Sequence, residues 1–140
     1  MATNVSRITI NATPERVWEA LTKPELVKRW QYGSVLQTSW ERGSKIKFAT
    51  EWNGKLFEQW GTVLEFMPVK RLRYSLFAPQ PGVEDIPENY FEMAYSLTPY
   101  DGQTKLEIIQ EDNRPNAVQE DEQGDENPVL KALKEIAEMS

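Results

Sequence analysis

Two residue types on which much enzyme chemistry depends are missing: the 140-residue chain has no histidine and no cysteine. Without cysteine there are no disulfides, thiolate nucleophiles or cysteine metal sites. Without histidine the commonest general base and the commonest transition-metal ligand are gone. Ser-His-Asp triads, zinc hydrolase centres and His-ligated haem are therefore excluded. Carboxylate, tyrosine and lysine chemistry remains. Glu51, Glu58 and Glu65 fall in or near strand-like segments, but no pair has a spacing that implies a shared acid–base site. A Tyr–Glu pair can act as acid and base, yet sheet proteins bring such pairs together by chance. With no recognisable catalytic constellation, the reading leans away from an enzyme and expects no metal and no cofactor.

The aromatic and apolar residues say more. Tryptophans stand at 18, 30, 40, 52 and 60. Trp18 has apolar neighbours at helical spacing and reads as core. Trp30 closes a short helix beside Gln31-Tyr32-Gly33, where helices meet sheet and a cavity mouth is expected. Phe48, Trp52, Tyr74 and Leu76 share the inward parity of their strands, as do Met93, Tyr95 and Leu97. Leu133, Ile136 and Ala137 face them from a terminal helix. All of these line either a dry core or a pocket. Thr50, Gln59 and Gln110 are polar positions on the same inward face, suited to orient a ligand or to hold water. Together with Trp30 they form the candidate cavity.

The elements that must position these residues follow from periodicity. The first ten residues alternate, with Val5, Arg7 and Thr9 opposed to Ser6, Ile8 and Ile10, as in a half-buried strand. Thr13-Pro14 is an N-cap followed by proline in the first turn, and it predicts a helix over 14–22. Lys23-Pro24 restarts the pattern for a second short helix ending before Gly33. Six strand candidates follow, over 35–41, 44–52, 55–67, 71–78, 90–98 and 104–111. Asn53-Gly54 and Asp101-Gly102 mark hairpins. Apolar residues on both parities leave the register of 55–67 open, with a bulge expected near Gly61. Asn127-Pro128 starts a last helix with an apolar stripe. Short connections predict an α+β fold with a curved antiparallel sheet in β-α-α-β6-α order, wrapped around a long C-terminal helix with ligand space between.

The net charge of −6 is local. Residues 111–126 carry seven acids and one Arg, leaving fifteen acids and fifteen bases elsewhere. This segment, with residue 127, reads as a solvated acidic loop before the terminal helix. Lys45, Lys47, Glu58, Arg71, Arg73, Glu92, Lys105 and Glu107 read as an outer face of mixed sign. Neither nucleic acid nor membrane is expected as a partner. Residues 79–88 are proline-rich and read as a surface loop, the sharper alternative being a gate at the cavity rim. No bilayer-spanning run and no signal-like apolar stretch is present, so one domain over 1–140 and a cytoplasmic location are expected.

The segment Ala12-Thr13-Pro14-Glu15-Arg16-Val17-Trp18-Glu19-Ala20-Leu21-Thr22, followed by Pro24-Glu25-Leu26 and Arg29-Trp30, resembles the opening signature of the heat-shock-protein-90 ATPase activator homologues. That family belongs to the START-like, birch-pollen-allergen-like (SRPBCC) superfamily. The resemblance continues through Gly61-x-Val63-Leu64-Glu65, Pro68, Leu72-x-Tyr74, Tyr95-x-Leu97, Gly102-x-Thr104-x-Leu106 and Val129-Leu130-x-x-Leu133-Lys134. One departure is the polar Glu126-Asn127-Pro128, where the family often shows Gly-Trp. The resemblance implies a helix-grip fold with an interior cavity used for hydrophobic or amphipathic molecules. Function is then expected to be non-catalytic binding of such a molecule. The alternatives are a chaperone-cofactor or other protein-interaction role and a cyclase- or hydrolase-type enzyme. The ligand's identity and the oligomeric state are not written in these residues.

Overall fold

In the computed structural model, which describes all residues except Met1, Tyr32, Asp125 and Ser140, alternation at the N-terminus becomes strand β1 (Ala2–Ile10). It buries Ile8 and Ile10 and exposes Arg7 and Thr9. The chain then forms α1 (Pro14–Thr22) and α2 (Pro24–Trp30). Thr13 caps α1 by accepting from the Arg16 N–H at 3.2 Å. Pro24 cannot continue α1, because it lacks a backbone donor and disfavours a helical residue before it. Lys23 is accordingly extended and starts α2.

Six strands follow: β2 (Val35–Thr38), β3 (Lys45–Trp52), β4 (Lys55–Met67), β5 (Arg71–Leu76), β6 (Phe91–Tyr100) and β7 (Gln103–Asp112). Among the described residues the seven strands form one antiparallel sheet in the order β1-β7-β6-β5-β4-β3-β2. Helix α3 (Pro128–Glu138) ends the fold, its first turn capped by Asn127, which accepts from the Val129 and Leu130 N–H groups. The expected α+β helix-grip architecture is present. Asn53-Gly54 and Asp101-Gly102 both hold positive φ at two consecutive positions, as tight hairpins of type I′ require.

Strand β4 serves two partners. Residues 55–62 pair with β3, and 63–67 pair with β5. The bulge expected near Gly61 is present, with the slip in register between Val63 and Glu65. Gly61 has a different reason to be glycine: a Cβ there would sit 1.8 Å from the Ser75 carbonyl oxygen. Beyond the Trp60–Phe77 bridge next to it, the β3–β4 hairpin runs on past the end of β5.

Leu130, Leu133, Ile136 and Ala137 of α3 are buried, and α3 meets α1, α2 and β1. Arg16 on α1 ties the end of α3, its guanidinium donating to the Ile136 and Ala137 carbonyls at 3.0 and 3.2 Å. The convex face carries ion pairs such as Arg73–Glu92 and Arg71–Glu65, as its alternating charges foretold.

The acidic segment keeps exposed side chains at Glu120, Asp121, Glu122 and Glu126, and its backbone is docked as well. It lies along the free edge of β1, with the Arg7 N–H donating to Gln123 O and the Gln123 N–H to Val5 O. Side chains of Gln119 and Asn4 add further bonds between the two. An uncovered edge strand invites pairing with another chain, and this segment removes that edge. Among the described residues no helix is long and apolar enough to cross a membrane.

Candidate functional site

Between the concave side of the sheet and the helices lies a cavity of about 600 Å³. Antiparallel register arranges its walls in rows, because residues directly opposite each other share a face. One row runs Tyr74, Met93, Gln110 across β5, β6 and β7, and another sets Leu76 beside Phe91. On the hairpin, Phe48 faces Gln59 and Thr50 faces Phe57. Trp30, Gln31 and Ser34 close the α2 side, and Val129 contributes from the start of α3.

Aromatic packing holds the walls in place. The Tyr74 ring packs against Phe48, Trp40 and Tyr95 at centroid distances of 5.7, 6.4 and 5.9 Å. The hydroxyls of Tyr74 and Tyr95 meet at 3.1 Å. Burial pushes both phenols above their ordinary pKa, Tyr74 well above, so both stay protonated at neutral pH. A second hydroxyl pair joins Ser34 Oγ and Thr50 Oγ1 at 2.8 Å. Gln110 Oε1 accepts from Asn4 at 3.3 Å. Among the described residues no Asp, Glu, Lys or Arg lines this cavity. Likewise, no cluster of three or more acidic side chains is placed to hold a metal ion. The arrangement can enclose an apolar body and offer it neutral hydrogen-bonding groups.

Nine of the sequence-derived candidates meet here: Trp30, Phe48, Thr50, Gln59, Tyr74, Leu76, Met93, Tyr95 and Gln110. Trp52 does not. It shares their face but is 68% exposed at the hairpin tip, because β3 outruns the body of the fold. Leu97, Leu133, Ile136 and Ala137 are buried in the core and lie outside the cavity wall. Trp30 is a wall, not the expected mouth. It is 4% exposed, and its indole N–H donates to Ala20 O at 2.7 Å. Its neighbour Tyr32 lies outside the described residues. The exposed lining residues, Phe57 and Gln59, put the opening at the β3–β4 hairpin instead.

Five lining residues were not among the candidates: Gln31, Ser34, Phe57, Phe91 and Val129. Phe91 and Phe57 carried a usable signal, since each is two residues from a recognised inward position. Val129 begins the apolar stripe of the last helix, whereas Gln31 and Ser34 carried no signal, because loop geometry decides where they point. The 79–88 loop is no part of the cavity wall. Asp85 within it accepts from Trp60 Nε1 at 2.9 Å and from the Tyr90 hydroxyl at 2.6 Å. Trp60 shares a face with Lys47, so this tether holds the loop on the convex side.

A family model described as activator of Hsp90 ATPase homolog 1-like protein matches residues 11–138. No curated protein matches the chain. Among solved structures, the protein ChR145 from Cytophaga hutchinsonii is 36% identical over 83% of this chain and 80% of its own, with a TM-score of 0.70. Protein CV1439 from Chromobacterium violaceum is 23% identical over 99% and 98% of the two chains, with a TM-score of 0.72. The Aha1 dimer from Colwellia psychrerythraea is 21% identical over 84% and 81%, with a TM-score of 0.61.

Proposed function

The chain belongs to the activator of Hsp90 ATPase homolog 1-like family, and from that premise we propose that it binds a small hydrophobic or amphipathic molecule, without catalysis, in the cavity beneath its sheet. The observation that carries this reading is the cavity itself. Its volume of about 600 Å³ falls in the range of small-molecule sites, and its wall is aromatic and aliphatic with a few hydroxyls and amides. The proposed location is the cytoplasm, in keeping with a chain free of cysteine.

Native mass spectrometry of freshly purified protein, with extraction of whatever is bound, tests the reading. A reproducible small-molecule adduct is expected, lost when Met93→Trp fills the cavity. An apo mass, together with no binding of the uncharged dye N-phenyl-1-naphthylamine, would refute it.

A protein-interaction role is the second reading, favoured by three exposed apolar side chains on the β3–β4 hairpin, Trp52, Leu56 and Phe57. A partner that remains bound to Met93→Trp but is lost by Trp52→Ser would establish it.

A further inference from the structure

Resting on the ligand-binding reading above, we propose that the cavity selects an uncharged ligand, whose hydrogen-bond acceptor is held by the Tyr74–Tyr95 hydroxyl pair. Carbonyl compounds such as ketones, esters and amides of mainly apolar body form the class that fits.

The first argument is what the wall lacks. A carboxylate or ammonium entering this space would shed its water and meet no opposite charge, since none lines the cavity. The inward-facing carboxylate next to it in the sheet is Asp112, opposite Phe91. Asp112 is 3% exposed, and both its oxygens are engaged by the Arg114 guanidinium at 2.8 and 2.7 Å. This ion pair is internally matched and leaves no free charge for a ligand.

The second argument is a proton count. Two phenols carry two hydroxyl protons, and their mutual bond uses one. Whichever tyrosine donates, the other keeps a proton for which the described residues supply no acceptor. Tyr74 and Tyr95 are 4% and 5% exposed, and both line the cavity. The spare donor therefore points its demand at the cavity contents. An uncharged acceptor meets that demand without the desolvation cost of an ion. Donation from one phenol into the other also polarises the outer hydroxyl, strengthening the bond it gives.

The test is displacement of N-phenyl-1-naphthylamine by decan-2-one and by decanoate, at pH 6 and pH 8. Displacement by decan-2-one should be independent of pH. Decanoate should enter only as the neutral acid, so its apparent Kd should rise about tenfold per pH unit, about a hundredfold between the two conditions. Equal displacement by decanoate and decan-2-one at pH 8 would overturn the selectivity while leaving the ligand-binding reading intact. If neither dye nor ketone binds, the underlying reading fails and this one with it.

The acceptor assignment has its own readout. In the double variant Tyr74→Phe/Tyr95→Phe, decan-2-one should weaken about three- to tenfold relative to the dye. Unchanged relative affinity overturns the assignment. Infrared spectroscopy of carbonyl-¹³C-labelled decan-2-one on the unaltered protein decides the same point should the variant misfold. A carbonyl stretch lowered from its value in alkane is expected, and an unlowered one overturns the assignment.

Discussion

Replacing Gly61 by alanine is a one-methyl change with an unusually large expected cost. Gly61 lies in a strand and is not among the positive-φ glycines, so alanine meets no backbone obstacle there. On conformational grounds alone Gly61→Ala would stabilise the protein by about 0.5–1 kcal/mol. Packing reverses the sign. The new Cβ would stand 1.8 Å from Ser75 O and 2.5 Å from Ser75 C, where ordinary contact begins at 3.4 Å. Both atoms are backbone, so no side chain can swing aside and the strands themselves must part. Close bonds flank the site: Phe77 N–H to Trp60 O at 2.7 Å and Thr62 N–H to Ser75 Oγ at 3.1 Å. Overpacking costs about 1–3 kcal/mol and each of the two hydrogen bonds about 1 kcal/mol, which, less the conformational gain, leaves a net cost of roughly 2–4 kcal/mol. Urea unfolding followed by tryptophan fluorescence measures this directly. With a slope of about 1–3 kcal/mol per molar, the midpoint should fall by about 0.7 M or more. Dye affinity should fall as well, since the cavity residues Phe57 and Gln59 lie just before Gly61 on β4 and would move with it. An alanine variant as stable as the parent, or more so, would refute the account of β4.

Other perturbations reach different parts of the fold. Arg16→Met removes the donors that cap the end of α3 and should cost about 1–2 kcal/mol, read by thermal unfolding. Hydrogen bonds from Arg114 hold the Asp112 carboxyl below its ordinary pKa of 3.8. Its stabilisation is thus complete above the unfolded value and lost as pH falls below about 4 through the folded one. Asp112→Asn should flatten that acid limb in unfolding curves recorded between pH 3 and 7. Met93→Trp should weaken dye binding by about tenfold or more through filled space, with thermal stability changed little.

The first helix and the starts of the other two were legible to the residue, because Thr13-Pro14, Lys23-Pro24 and Asn127-Pro128 act locally, through capping and a missing donor. The two hairpins were legible for the same kind of reason, since Asn-Gly and Asp-Gly tolerate consecutive positive φ. Trp52 shows where such reasoning ends. Alternation assigns a strand residue to a face, but not to a position within or beyond the body of the fold. The stripe of Leu133, Ile136 and Ala137 was equally visible, yet the surface it meets is a tertiary matter. In the acidic segment the charge density correctly marks exposed side chains such as Glu120 and Glu122, but it says nothing of the backbone, which pairs with the open edge of β1 at Gln123. Gly61 marked the nearby bulge, but the contact that requires glycine was hidden, because it comes from Ser75, fourteen residues away.

The central claim is that a small apolar molecule occupies the space bounded by Tyr74, Leu76, Met93 and Tyr95. Titration of ¹⁵N-labelled protein with decan-2-one, followed by amide chemical shifts, tests it most directly. Saturable shifts clustered on β5, β6 and the end of α2 are the result expected. Shifts gathered on Trp52 and Leu56 at the hairpin tip, with the cavity strands silent, would contradict it.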